Sequence, residues 1–193
     1  MRWTLAIAVA VTAALSVLAC AESTTTTGPT RAPSVLTVLL KDSPFTDAKS
    51  LLVTFSEVSA HHAEGEWIRL PFSGGALSRT CDLKKLTDSQ DVLGTGPLAP
   101  GQYTMVRLEV TSAALYFDNA AAGPACAAAV ATPAGRSAPV EVPSGIVRLN
   151  RRFELTPTTA TTMLLDFDGD RSIRQTGNGR YMMTPVIGVV SVH

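Results

Sequence analysis

The chain has 193 residues, enough for one domain with a hydrophobic core, and its hydrophobic fraction of 46% fits a globular protein. Sixteen Lys and Arg residues balance sixteen Asp and Glu residues, so the formal net charge is zero. A nucleic-acid-binding protein needs an excess or a stripe of basic residues, so this balance argues against nucleic acid as a partner.

The first twenty residues predict a lipoprotein signal peptide. Arg2 precedes an apolar run that begins at Thr4 and closes with LSVLAC at residues 15–20. A positive start, an apolar core and small residues at the end are typical of a secretory signal. Cleavage before Cys20 would make it the new N-terminus and the site of lipid attachment, although Leu18 is larger than the residue usual at that position. An ordinary signal peptide with an incidental cysteine is the alternative.

The signal divides the chain into three predicted parts. Residues 1–19 are the signal peptide, residues 20–33 are a flexible Thr-rich tether, and residues 34–193 are a single β-sandwich domain. A lipid on Cys20 makes the membrane the first expected partner and places the protein in the bacterial cell envelope. Ala21 is not an acidic retention signal, which favours the outer membrane. We expect a monomer there.

Cys81 and Cys126 remain as a pair once Cys20 is assigned to the lipid. In an oxidising envelope, two remaining cysteines usually form a disulfide. A metal pair is the alternative, but neither a CxxC motif nor a nearby histidine supports it. We therefore expect a disulfide, which contributes roughly 4 kcal/mol at most by restricting the unfolded chain.

Strand-like segments make up most of the remaining chain. Residues 35–40 (VLTVLL) predict a buried strand that stops by Pro44, because proline cannot continue a ladder. The apolar residues of 51–60 change parity near Glu57, which predicts a bulge, and residues 104–110 alternate most regularly. Short strands separated by turn signals, with no amphipathic helix, indicate an all-β antiparallel sandwich of eight or nine strands.

Other segments predict the connections. The glycines at 177–179 (GNG) predict a hairpin turn before a last strand at 181–192. That strand is apolar on both faces and is therefore predicted to be central, with Pro185 at its start or at a bulge. Residues 119–134 are rich in alanine, glycine and proline and predict a long loop. Residues 81–86 fit either a helical turn or an irregular edge.

An ordered series of segments resembles one bacterial family. LLKDSPF resembles its opening strand and turn, LAPGQYTMVRLEV its Pro-Ala-Gly-x-Tyr-Thr strand, VEVPSGIVRLNRRF its Val-Pro-Ser-Gly strand and GNGRYMMTPVIGVV its close. By their order and spacing, these segments resemble the bacterial lipoproteins of domain of unknown function 4382 over about residues 35–190. The order Leu-Ala-Pro-Gly and an extra loop at 119–133 depart from the pattern. The resemblance implies a prealbumin-like or immunoglobulin-like sandwich and no established activity, so no catalytic residue is carried over.

Asp166, Asp168 and Asp170 form the cluster with most metal character, in the sequence DFDGD. Several carboxylates could bind calcium, but glycine stands at the fourth position of the segment instead of the sixth, so it is not an EF-hand loop. The alternative is an acidic strand end in which Arg171 or Arg174 balances the charge. We favour this alternative and expect neither a metal nor a cofactor.

His61 and His62 lie near Glu64 and Glu66, a composition that could suggest zinc. Adjacent residues on a strand point to opposite faces, so the two histidines are not expected to share one metal ion. The sequence has no GxSxG, HExxH or phosphate-binding glycine loop. We therefore do not expect an enzyme.

Four aromatic residues, Trp67, Tyr103, Tyr116 and Tyr181, could form a platform on which sugar rings stack, with core packing as the alternative. A binding or adhesion module with an envelope protein or a glycan as ligand is the first functional expectation, because loops of a rigid sandwich commonly carry recognition residues. A structural anchor that acts by strand pairing is the second. An enzyme is the third.

The signal at residues 15–20 generates a direct prediction about lipidation. In the bacterial host, labelled palmitate should enter the wild-type protein, and Cys20→Ala should abolish the label because it removes the acylated residue. Fractionation followed by autoradiography measures this. A soluble, unlabelled wild-type protein would contradict the prediction.

Overall fold

The computed structural model describes residues 32–43 and 48–193. The predicted signal peptide, Cys20 and nearly all of the predicted tether lie outside the described residues. Within these two ranges, no helix is both long and apolar enough to span a membrane.

The described part contains thirteen strands, one short α-helical turn and two 3₁₀ turns. The strands are β1 (Ser34–Ser43), β2 (Ser50–His62), β3 (Trp67–Arg69), β4 (Arg79–Asp82), β5 (Asp91–Leu98), β6 (Gly101–Tyr116), β7 (Cys126–Ala127), β8 (Ser137–Glu141), β9 (Ile146–Leu155), β10 (Ala160–Asp168), β11 (Ile173–Gln175), β12 (Tyr181–Met183) and β13 (Ile187–Val192). The helical turn α1 spans Gly169–Ser172, and 3₁₀ turns span Ser73–Gly75 and Leu83–Leu86.

The strands form two sheets, which confirms the predicted all-β sandwich, but the prediction of purely antiparallel pairing and of eight or nine strands is wrong. The smaller sheet has the order β13-β10-β1-β5, and the larger has the order β11-β12-β8-β6-β2-β4-β7, with β3 also on β2 and β9 also on β6. Pairing is mixed, because β1 with β10 and β8 with β12 are parallel. Both parallel pairs join strands that are distant in sequence, where no hairpin imposes an antiparallel direction.

The core lies between the two sheets and follows the predicted period of two. Fully buried side chains include Leu36, Val38 and Leu40 of β1, Leu51, Val53 and Phe55 of β2, Val106 and Leu108 of β6, and Met163, Leu165 and Phe167 of β10. The rings of Phe55 and Phe167 meet edge to face across the core, with centroids 6.5 Å apart. Each such side chain contributes about 1.5–3 kcal/mol by its removal from water.

Several local predictions are confirmed. The register of β2 against β6 shifts on either side of Phe55, next to the bulge predicted near Glu57. Cys81 and Cys126 form the expected disulfide. Residues 119–134 contain only the two-residue strand β7 and otherwise form a loop. Residues 81–86 combine both alternatives, since β4 ends at Asp82 and a 3₁₀ turn follows.

The predicted central last strand is wrong. Residues 181–192 form two strands in different sheets, with β12 in the larger sheet and β13 at an edge of the smaller one. Pro185 lies between them and lacks the N–H that a continuous ladder would need. The apolar residues on both faces therefore belong to a segment that passes from one sheet to the other.

Asp42 is a buried carboxylic acid at the end of β1. Asp42 is only 2% exposed, and its Oδ1 accepts a 3.2 Å hydrogen bond from Gly169 N. Oδ2 is buried and has no hydrogen-bond partner in the described structure. The pKa of Asp42 is raised to about 7, chiefly by burial and also by the nearby charges of Asp166 and Asp168, against the lowering effects of the Gly169 hydrogen bond and the Lys84 charge.

This raised pKa predicts how stability depends on pH. The pKa of Asp42 is about 7 in the folded protein, above the ordinary value of 3.8. Between pH 3.8 and pH 7, Asp42 is protonated in the folded protein but ionised in the unfolded chain. The stability that this difference provides is therefore complete below pH 3.8 and is lost as the pH rises through 7. Asp42→Asn cannot lose a proton. Measured by urea unfolding, the free energy of unfolding of Asp42→Asn should rise relative to that of wild type by up to about 4 kcal/mol between pH 4 and pH 8.

Asp170→Asn changes an exposed carboxyl group on α1 and is the matched control for this experiment. It should follow the wild-type pH profile. Parallel pH profiles for wild type and Asp42→Asn would contradict the assignment of a raised pKa to Asp42.

Candidate functional site

A groove of about 440 Å³ opens between β8 and the turn that precedes β12. Its volume falls in the range of small-ligand sites, about 300–1,000 Å³. The residues that line it are Ser137, Ala138, Pro139, Val140, Glu141, Gly179, Arg180 and Tyr181.

The groove exists because two strands that pair with each other begin at different levels. β8 pairs with β6 from Ser137 onward, whereas β12 begins at Tyr181, opposite Val140. Residues 137–139 therefore have no strand beside them on the β12 side. The predicted hairpin turn at 177–179 joins β11 to β12 and forms the opposite wall of the groove.

Tyr181 provides an aromatic wall whose position is supported by neighbouring side chains. Its ring centroid lies 5.9 Å from that of Phe117, and the Arg136 guanidinium lies 5.8 Å from the Phe117 ring. Arg136 pairs with Asp118 at 3.0 Å. Hydrogen bonds from the Arg136 backbone and side chain lower the pKa of Asp118, which keeps this carboxylate charged and the support in place.

The groove also carries exposed polar groups, one of them negatively charged, one positively charged and one neutral. Ser137, Glu141 and Arg180 are all exposed and provide a hydroxyl group, a carboxylate and a guanidinium. Pro139 and the Tyr181 ring add apolar surface between them. An apolar groove with a few polar side chains is the usual composition of a binding site for a small ligand.

The four aromatic residues proposed as one sugar platform do not come together. Tyr103 is fully buried, donates its hydroxyl hydrogen to Ala99 O at 2.9 Å, and has a pKa raised by burial. Tyr116 lies at the opposite end of β6 from Tyr103, thirteen residues away, or about 43 Å along an extended strand. Tyr181 is the only member of the set that lines the groove.

Trp67 belongs to a separate cluster on the outer face of the larger sheet. The Arg107 guanidinium lies 4.4 Å from the Trp67 ring centroid, and the His61 ring meets the indole edge-on at 4.8 Å. Arg107 also forms an ion pair with Glu57. Burial alone would raise the pKa of Glu57, but the hydrogen bonds and the positive charge of Arg107 lower it below its ordinary value.

His61 and His62 make different contacts. His61 Nδ1 lies 2.8 Å from Thr104 Oγ1, beside Trp67. His62 instead meets the ring of buried Tyr103 edge-on at 5.1 Å. Their contacts therefore lie on opposite faces of β2, as the strand period predicts.

The carboxylates at the end of β10 contact several different partners. Asp166 pairs with Lys41 at 3.4 Å, and Asp168 accepts a 2.9 Å hydrogen bond from Arg171 N at the start of α1. The Arg171 guanidinium lies 3.8 Å from Asp168, while Asp170 is exposed. Across residues 32–43 and 48–193, no three His, Cys, Asp or Glu side chains are grouped so that they could hold a metal ion.

A family model described as domain of unknown function (DUF4382) matches residues 34–185. The chain belongs to this family. No curated protein and no solved structure matches the chain. The DUF4382 match extends from β1 through β12, so it includes every residue that lines the groove, and β13 follows it.

The sequence did not identify most of the groove in this DUF4382 domain. Tyr181 was a candidate binding residue, but Ser137, Glu141 and Arg180 were not. The turn at 177–179 was a usable signal for the wall next to Arg180. The parallel pairing of β8 with β12, which brings Glu141 beside Met182, joins segments about forty residues apart and leaves no local pattern.

Proposed function

We propose that this DUF4382 protein is a non-catalytic binding module, held on the membrane of the bacterial cell envelope by a lipid on Cys20. The groove beside Tyr181 is its ligand site in this proposal, and the ligand is a saccharide. The signal at residues 15–20 supports the anchor, and the Thr-rich segment at 20–33 supports a flexible connection to the sandwich.

The half-buried ring of Tyr181 is the observation that carries the binding proposal. An aromatic face stacks on the C–H groups of a sugar ring, and the phenol contributes apolar contact area with little loss of conformational entropy. Phe117 supports the ring from behind. The groove is therefore arranged before a ligand arrives, which reduces the entropic cost of binding.

The polar groups of the groove favour a saccharide over a purely apolar ligand. Glu141 accepts hydrogen bonds, Arg180 donates them and Ser137 does both, which matches the mixed donors and acceptors of sugar hydroxyl groups. Opposite charges on Glu141 and Arg180 leave no large net field for a strongly charged ligand. These features support a neutral saccharide as the ligand class.

A structural role by strand pairing is the second candidate. β13 pairs with β10 on one side and is the last strand of its sheet in the described structure. Its sequence, IGVVSV, contains neither the charges nor the proline that commonly protect a sheet edge. A bulge leaves Val190 unopposed and 53% exposed, which interrupts the edge and makes this candidate weaker than the groove.

The groove proposal predicts a ligand-binding defect in Tyr181→Ala. Saturation-transfer NMR against neutral oligosaccharides of the envelope should detect binding to the wild-type domain. Tyr181→Ala should weaken binding by roughly two- to tenfold, because a stacked ring contributes about 0.5–1.5 kcal/mol. Tyr181→Phe keeps the ring and should retain most of the affinity.

Tyr116→Ala is the matched control, because Tyr116 is also a half-buried tyrosine but does not line the groove. It should bind like wild type. Equal affinity of wild type and Tyr181→Ala for every oligosaccharide bound would contradict the groove as the ligand site.

A further inference from the structure

Three arginines of β9 form a basic edge on the larger sheet, away from the groove. Arg148, Arg151 and Arg152, which we call the arginine edge, are all exposed. β9 pairs with β6 on one side and lies at the border of the sheet in the described residues. The chain has no net charge, whereas β9 carries these three arginines and one acidic residue, Glu154, so positive charge is in excess on this strand.

A bulge brings two members of the arginine edge side by side. Tyr103 pairs with Phe153 and Met105 pairs with Asn150, so Arg151 and Arg152 together stand opposite Thr104. β-bulges re-aim side chains and are frequent next to functional sites.

The bulge borders a cavity of about 400 Å³ lined by Thr104, Met105, Asn150 and Arg152. The hydroxyl of Thr104 already contacts His61, so Asn150 and Arg152 are the polar groups most available to a ligand.

In the described structure, the arginine edge lacks the acidic partners that four other arginines have. Among described residues, ion pairs join Arg79 to Asp91, Arg107 to Glu57, Arg136 to Asp118 and Arg171 to Asp168. None of these ion pairs includes Arg148, Arg151 or Arg152.

Arg148 also stands directly opposite Arg107 in the ladder, and opposed like charges destabilise a sheet. Positions that work against stability in this way are characteristic of functional sites.

We propose that the arginine edge binds a polyanionic saccharide through its carboxylate, sulfate or phosphate groups. The planar guanidinium group makes paired hydrogen bonds to each of these anions. Arg148 and Arg152 are separated by about 13 Å along an extended strand, with Arg151 between them, so the row fits repeated anionic groups on a polymer better than one small ion. This site is independent of the groove at Tyr181 and needs no ligand there.

Binding to immobilised heparin and polygalacturonate tests the proposal, with dextran as the neutral polymer. The wild-type domain should bind both polyanions at low ionic strength, bind dextran no more than background, and lose affinity as salt is added, because salt screens exposed charges. The triple variant Arg148→Gln, Arg151→Gln, Arg152→Gln should bind at least about tenfold more weakly, because each exposed ion pair contributes a factor of roughly two to five.

A second triple variant controls for net charge. Lys49→Gln, Arg171→Gln, Arg174→Gln removes the same charge from other exposed positions and should bind the polyanions like wild type. Arg152→Gln alone should show a partial loss, which keeps the test informative if the triple variant is unstable in thermal melts. Equal losses in the two triple variants would overturn the proposal, because only bulk charge would then matter.

The source of the anion is tested separately. Vesicles of phosphatidylglycerol and phosphatidylcholine in equal parts should compete poorly with the polyanions, and so should inorganic phosphate. Binding to the vesicles in preference to both polysaccharides would overturn the saccharide assignment and identify a lipid headgroup. Full competition by millimolar phosphate would equally overturn it, because a single anion would then suffice.

Discussion

The organisation of the larger sheet depends on one close backbone contact, between Gly145 and Val110. β8 and β9 lie one after the other along the same side of β6, and the chain between them passes Val110. Val110 N donates a 2.9 Å hydrogen bond to Gly145 O. A Cβ on residue 145 would lie 1.8 Å from Val110 O, so only glycine fits there.

Both proposed sites follow from the way this contact divides β6. Its second half, residues 113–116, pairs with β8, and β12 then adds to β8 to form the groove. Its first half, residues 101–109, pairs with β9, which remains at the border and exposes the arginine edge. The proposed ligand groove and the arginine edge therefore lie toward opposite ends of one sixteen-residue strand.

Local sequence patterns predicted those features of the fold that depend only on neighbouring residues. The alternation at 104–110, the parity change near Glu57 and the turn at 177–179 all reflect strand geometry that is visible over a few residues. The remainder depends on contacts between distant segments. The passage of residues 181–192 between sheets, the parallel pair that shapes the groove and the bulge beside Arg152 are set by strand partners, which one sequence does not reveal.

Unfolding of Gly145→Ala is the most direct test of this account, with hydrogen exchange of the β8 and β9 amides measured on the same sample. The account predicts a loss of about 3 kcal/mol, because the added methyl group overlaps Val110 O, together with faster exchange in both strands. Gly188→Ala is the control, since a Cβ there meets nothing within 4 Å, and it should change stability by no more than about 0.5 kcal/mol. Wild-type stability and wild-type protection of β8 and β9 in Gly145→Ala would contradict the central role of this contact.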